Sequence, residues 1–159
     1  QQLIDRWVVE RLTPEQVDYL AELPLQVDVP DTRGEAMAVV HATPWSSHPE
    51  LHEDAPEALA RELLDAAGTP VLVYGHIHVQ YERRVDGHIL AAVGSVGLPV
   101  DGDRRAGYAV ISSNVDGWSV GFRRVPYDVD AAVAATLASG VPNAGGFAAA
   151  LRDARLPGR

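Results

Sequence analysis

The 159-residue sequence contains no cysteine and no lysine. Without cysteine there is neither a disulfide framework nor a thiolate metal site, so any metal ion would have to be held by His, Asp, Glu or Asn. All 13 basic residues are arginine, set against 22 acidic ones for a formal net charge of −9. Phosphate backbones need clustered cations, so this balance argues against a nucleic-acid or anionic-membrane surface. Together with the abundant Ala, Asp and Gly, the arginine-only set reads as the coding bias of a GC-rich bacterium. An acidic protein can still take a phosphate ester where metal ions supply the positive charge. No apolar run reaches the roughly 18 residues that a membrane span needs. The first residues, Gln1-Gln2-Leu3-Ile4-Asp5-Arg6, have neither the basic start nor the apolar core of a signal peptide. The cytoplasm is the expected compartment. At 47% apolar and 22% charged, the composition is that of a globular protein, long enough for one domain with a real core or a large part of one.

What is present alternates between helical and extended patterns. Leu3, Ile4, Trp7, Val8 and Leu12 share one helical face over residues 3–12. The pattern starts at once, with no capping residue before it, and reads as a cut rather than a natural start. Thr13-Pro14-Glu15-Gln16 is a capping box opening a second helix, with Leu12 and Val17 as a hydrophobic staple. Strands are predicted over 25–29 and 35–40, the second leading directly to His41. An irregular stretch follows, and Asp54-Ala55-Pro56-Glu57 opens a helix closed by Gly68. Strands over 79–85 and 88–93 flank Asp86-Gly87, a pair suited to a two-residue hairpin turn that needs positive φ. Strands over 107–112 and 118–125 flank a second Asp-Gly pair, Asp116-Gly117. Asp128 and Asn143 are predicted to cap two final helices. Mixed strands and helices of this kind indicate an α/β domain with an antiparallel hairpin section.

The segment Pro70-Val71-Leu72-Val73-Tyr74-Gly75-His76-Ile77-His78-Val79 stands out. Its four apolar residues read as a strand buried on both faces. If the chain stays extended, His76 and His78 point the same way and can face one site. His41 follows another apolar strand, and ligands in α/β sheets collect at the carboxyl ends of strands. Should the two strands be parallel neighbours, His41 and His76 converge. Either histidine alone is more often a structural residue than a ligand. His48 and His52 are four apart, but Pro49 argues against the helix that would pair them, leaving a loop at the site edge. Trp45 could flank a substrate or simply pack the loop. His88 should be exposed, and Arg83-Arg84 and Arg123-Arg124 read as solvated strand edges rather than phosphate-binding groups.

Three segments taken together resemble a known family: Val39-Val40-His41-Ala42-Thr43-Pro44, Val73-Tyr74-Gly75-His76-Ile77-His78-Val79, and Val93-Gly94-Ser95-Val96-Gly97-Leu98-Pro99 with Asp101-Gly102-Asp103. In order and spacing they are similar to the C-terminal half of bacterial calcineurin-like metallophosphoesterases. The tail around Phe122 to Tyr127 fits the small single-domain branch. The resemblance implies an αββα sandwich with mixed sheets. It also implies two metal ions that clamp a phosphate ester and activate a bridging water for in-line attack. It assigns His41 and His76 to one metal and His78 to the other. It gives the Gly94–Gly97 loop a place near the site wall without a chemical role. Imidazole suits Mn, Fe, Zn or Ni about equally, with manganese the first choice.

The family's earlier motifs, Asp-x-His, Gly-Asp-x-x-Asp and Gly-Asn-His followed by Asp or Glu, do not precede His41. Gly102-Asp103-Arg104-Arg105-Ala106 lacks the second acid, and neither Asn114 nor Asn143 is followed by histidine. Three imidazoles cannot hold two metals without the acidic bridge. The expectation is therefore that residues 1–159 form a single domain, the C-terminal part of a metallophosphoesterase, inactive alone and partnered by a missing N-terminal segment. The whole would hydrolyse a phosphomonoester or phosphodiester by metal-bound hydroxide. A non-catalytic binding or scaffold module that kept the fold is the alternative, and a third reading has the histidines as hydrogen-bonded core residues. A homo-oligomer through an exposed strand edge is a further expected partnership. No residue can be assigned to catalysis or substrate binding from the sequence.

Overall fold

The computed structural model describes residues 2–156. At its centre is β3 (Val71–Tyr74), all four residues of which are buried. Burying each such side chain contributes about 1.5–3 kcal/mol. β2 (Ala36–Val40) and β5 (His88–Val93) run parallel to β3 on either side. β1 (Gln26–Pro30) and β4 (Gln80–Val85) pair antiparallel at the two edges, giving the order β1-β2-β3-β5-β4. Parallel neighbours need a crossover, supplied between β2 and β3 by α3 (Glu57–Ala67). Its Ala60, Leu63, Leu64 and Ala67 form one buried face, and Gly68 ends it at φ +69°. After β3 the chain skips one position and returns as β4. The Asp86-Gly87 turn, with φ of +51° and +84°, then feeds β5 into the gap. This detour leaves the carboxyl ends of β2, β3 and β5 along one edge of the sheet.

One sheet face, including Leu72, Tyr74, Tyr81 and Leu90, packs on α3 and Leu51. The other face, Val71, Val73, Ile89 and Ala91, meets Ile111, Trp118 and Val120. These three belong to a second sheet, the hairpin of β6 (Ala106–Asn114) and β7 (Gly117–Val125). Gln80 ties the two sheets by donating to the carbonyls of Val93 at 3.2 Å and Tyr108 at 3.0 Å. α4 (Val129–Ala138) and α5 (Ala144–Asp153) pack together through Val133, Ala148 and Leu151, against Leu98. α1 (Gln2–Val9) and α2 (Pro14–Ala21) contain no buried residue. The expected α/β class with a mixed sheet is the observed one.

Local expectations met different fates. Both halves of the Thr13–Gln16 capping box form, at 3.3 and 2.9 Å, and Asp128 accepts from the Ala131 amide at 2.9 Å. Leu12, by contrast, lies beyond α1. Asn143 does not cap α5 with its side chain. It sits at φ +62°, and the amides of Gly146 and Phe147 bond instead to its backbone carbonyl, at 2.9 and 3.2 Å. The second hairpin turns at Val115-Asp116, one residue earlier than predicted. Asn114 Oδ1 accepts from the Asp116 amide at 2.8 Å, so an Asx turn sets the register and Gly117 begins β7 at φ +115°. Nor is Arg124 on a solvated edge. Its side chain is only 14% exposed and pairs with Asp101, itself 16% exposed. Arg83 donates to the carbonyls of Glu53 and Ala55. His88 is exposed, as expected.

Candidate metal centre

The site grows out of the parallel ladder. One residue past the strand ends, the Gly75 amide donates to the His41 carbonyl at 3.0 Å. That extra rung puts His41 beside His76. His41 Nε2 and His76 Nδ1 lie 2.9 Å apart, with the rings 4.8 Å between centroids and edge to face. Convergence of these two follows from the parallel pairing, as anticipated. The route taken by His76 and His78 does not. Neither is extended: their φ angles are +55° and +59°. The Ile77 amide donates to the Gly75 carbonyl at 2.7 Å, a three-residue turn, while the Ile77 side chain is buried at 8% exposure. Strand alternation therefore fails here because β5 occupies the next position and the chain must bend across its end. Left-handed backbone costs a non-glycine residue about 1–2 kcal/mol, and such strain collects at functional sites.

Two backbone carbonyls orient the rings. His76 Nε2 lies 2.9 Å from the His48 carbonyl and His78 Nδ1 lies 2.8 Å from that of Leu98. A carbonyl only accepts, so each of these nitrogens carries the proton and the opposite nitrogen keeps its lone pair. His76 Nδ1 then accepts from His41 Nε2–H. A ligating histidine commonly has its second nitrogen held in this way. Partial desolvation, reinforced by the charges of His76, His78 and His48, lowers the pKa of His41 below the ordinary histidine value. Neither carbonyl's role was legible in the sequence, since a backbone acceptor leaves no residue-type signature. His48 contributes its backbone to the site, while its ring contacts Ser47 Oγ at 3.2 Å; His52 pairs with Glu50 at 2.9 Å.

The loop carrying these groups is pinned at both ends. Buried Thr43 forms a reciprocal turn with Ser46, at 3.0 Å in each direction. The Leu51 carbonyl accepts from Tyr81 Oη at 3.0 Å and Tyr74 Oη at 3.3 Å. Trp45 is half exposed on this loop. On the far side, Gly94 must be glycine. Its φ is +82°, and a Cβ there would come within 2.6 Å of the Gln80 side chain. A cavity of 460 Å³ opens beside the histidines, lined among others by His52, His76, His78, Asp101 and Arg155.

Metal–imidazole bonds of about 2.0–2.1 Å put two ligand nitrogens roughly 3 Å apart. The 2.9 Å between His41 and His76 has that spacing, so the pair fits one side of a metal ion. The set is partial: among the described residues, no group of three or more His, Cys, Asp or Glu could hold an ion. The sequence does contain one Asp-x-His triplet, Asp86-Gly87-His88. It lies in the β4–β5 turn, away from the strand ends that carry the histidines, with Asp86 bound to Arg61 at 2.6 Å.

The sequence model of the calcineurin-like phosphoesterase superfamily domain matches residues 10–116. The chain belongs to that superfamily. Among solved structures, a metallophosphoesterase from Sphaerobacter thermophilus is similar at 26% identity and a TM-score of 0.73 over 94% of this chain. A hypothetical protein from Pyrococcus horikoshii shares the fold at 16% identity and a TM-score of 0.71, also over 94%. The phosphoesterase-family chain spans 65% and 57% of the lengths of those two. No curated protein matches the sequence. Among the described residues no helix is long and apolar enough to cross a membrane.

Proposed function

We propose that the protein to which these residues belong is a metal-dependent phosphoesterase, acting on a phosphomonoester or phosphodiester. In this reading His41 and His76 bind one divalent ion and His78 a second, with manganese the first choice. Such ions would polarise the phosphate and lower the pKa of water. The observation that carries the reading is the paired placement of His41 Nε2 and His76 Nδ1, with His76 and His78 each tethered through the opposite nitrogen to a carbonyl. These tethers leave lone pairs available and fix the rings. Among the described residues no group of three or more His, Cys, Asp or Glu could hold an ion, so in this reading the three histidines are part of a larger ligand set.

The test is hydrolysis of p-nitrophenyl phosphate and bis-p-nitrophenyl phosphate by the full-length protein, with and without Mn²⁺. Metal-dependent turnover that His76→Ala lowers by at least about 100-fold, as expected for loss of metal-site integrity, supports the reading. A second reading, a non-catalytic module, is favoured because no group of three or more His, Cys, Asp or Glu among the described residues could hold an ion. Metal binding without hydrolysis in the full-length protein would select it.

A further inference from the structure

The cavity beside the histidines contains one cation that the metal chemistry does not use. The two acids lining it, Glu50 and Asp101, are already engaged: Glu50 with His52 and Asp101 with the nearly buried Arg124. Arg155 lines the same cavity, and its guanidinium has no hydrogen bond or ion pair among the described residues. Most described arginines behave differently. Arg33, Arg61, Arg84, Arg105 and Arg124, for example, each pair with a carboxylate. In a chain of net charge −9, a guanidinium that lines the histidine cavity and pairs with no carboxylate among the described residues is a local positive charge.

Its position is built rather than incidental. α5 ends at Asp153, and Ala154 is fully buried in the left-handed conformation at φ +47°. The Ala154 carbonyl accepts from the Gly102 amide at 2.9 Å, joining the helix end to the loop that carries Asp101. That reversal turns Arg155 back over Gly102, where an added Cβ would lie 3.6 Å from Arg155 Nη2. The Arg124–Asp101 pair holds the loop from below. A planar guanidinium with five donors matches two oxygens of a phosphate at once.

We infer that Arg155 is the anion-binding residue of the cavity, taking the phosphate oxygens of the substrate beside the histidine-held metals. The inference rests on the phosphoesterase reading for the identity of that anion. Binding can nevertheless be measured without hydrolysis. Titrating inorganic phosphate into the metal-free protein by calorimetry or ³¹P NMR should show Arg155→Gln raising Kd about tenfold, or about 1.4 kcal/mol. Arg155→Lys should fall between, keeping charge but losing the fork. Arg152→Gln, which removes an arginine of α5 that does not line the cavity and has no partner among the described residues, should leave Kd unchanged. No phosphate binding by the parent protein, or equal losses from Arg155→Gln and Arg152→Gln, would overturn the inference. If Arg155→Gln weakens phosphate binding in a full-length protein that hydrolyses no ester, the inference stands and the phosphoesterase reading fails. If a working hydrolase keeps its KM and its phosphate affinity on Arg155→Gln, the inference fails alone.

Discussion

Leu72 and Leu20 carry the same side chain in opposite surroundings: Leu72 is 0% exposed in the central strand, and Leu20 is 51% exposed on α2. The contrast extends to whole regions. β2, β3 and β5 lie inside a sheet covered on both faces, and the chain at their carboxyl ends is bent into two left-handed histidines. α1 and α2 are helices with well-formed local signals and no buried residue, and β1 is exposed at four of its five positions. Strain at His76 and His78 is tolerable because the strands beneath them are over-determined by packing. The N-terminal elements carry no such strain and no such anchorage.

Leu72→Ala should give the largest effect, a loss of about 2–5 kcal/mol in urea unfolding as a buried cavity opens. Leu20→Ala should stay within about 0.5 kcal/mol. Similar losses at the two positions would erase the distinction between the regions. Tyr81→Phe should lose about 1 kcal/mol, since it removes one of two hydroxyls on the Leu51 carbonyl. It should also raise hydrogen exchange along the 42–53 loop. His78→Gly sharpens the comparison most directly, because relief of the left-handed backbone should leave stability unchanged or raised by up to about 1 kcal/mol. The same change should weaken metal binding. A clear destabilisation would mean that the His78 ring holds the loop as well as facing the site.

The β1–β2 turn is tied to the second sheet through Asp31, and that tie titrates. Asp31 accepts from Ser113 Oγ at 2.5 Å and from Arg33 Nε at 2.8 Å, and the Ser113 bond above all holds its carboxyl below the usual range. A depressed folded pKa means that the unfolded state binds the proton more readily. Stability from this group is therefore present above the unfolded value of about 3.9 and is lost as pH falls below it. Asp31→Asn should flatten that part of the stability profile. An unchanged acid limb would show that the Asp31–Ser113 tie does not couple the β1–β2 turn to the second sheet.

How much of this was legible in the sequence varies by region for a physical reason. β3 and the Asp86-Gly87 turn were readable to the residue from an unbroken apolar run and a positive-φ pair, whereas the same pair at Asp116-Gly117 was placed one residue late because the Asn114 Asx turn sets that register. The Thr13 and Asp128 caps were likewise readable. The exposed faces of α1 and α2 were not, since an apolar stripe specifies that something could cover it but not what does. At the site, His41 and His76 were placed correctly by the parallel pairing of their strands. The expected extended path through Gly75-His76-Ile77-His78 was wrong, because only the topology, with β5 inserted beside β3, forces the bend. The carbonyls of His48 and Leu98 were invisible for want of a residue type to mark them, and Arg155 gave no signal until α5 folded back to the cavity.

The histidine edge as a metal site is tested most directly by adding trace Mn²⁺ and following imidazole resonances by NMR. Paramagnetic broadening reads proximity to the ion even when binding is weak. His41, His76 and His78 should broaden first, with His88 last, and Ala substitution at His76 should remove the selectivity. Equal broadening of all six histidines, or broadening centred on His48 and His52, would contradict the assignment of the metal to the strand ends.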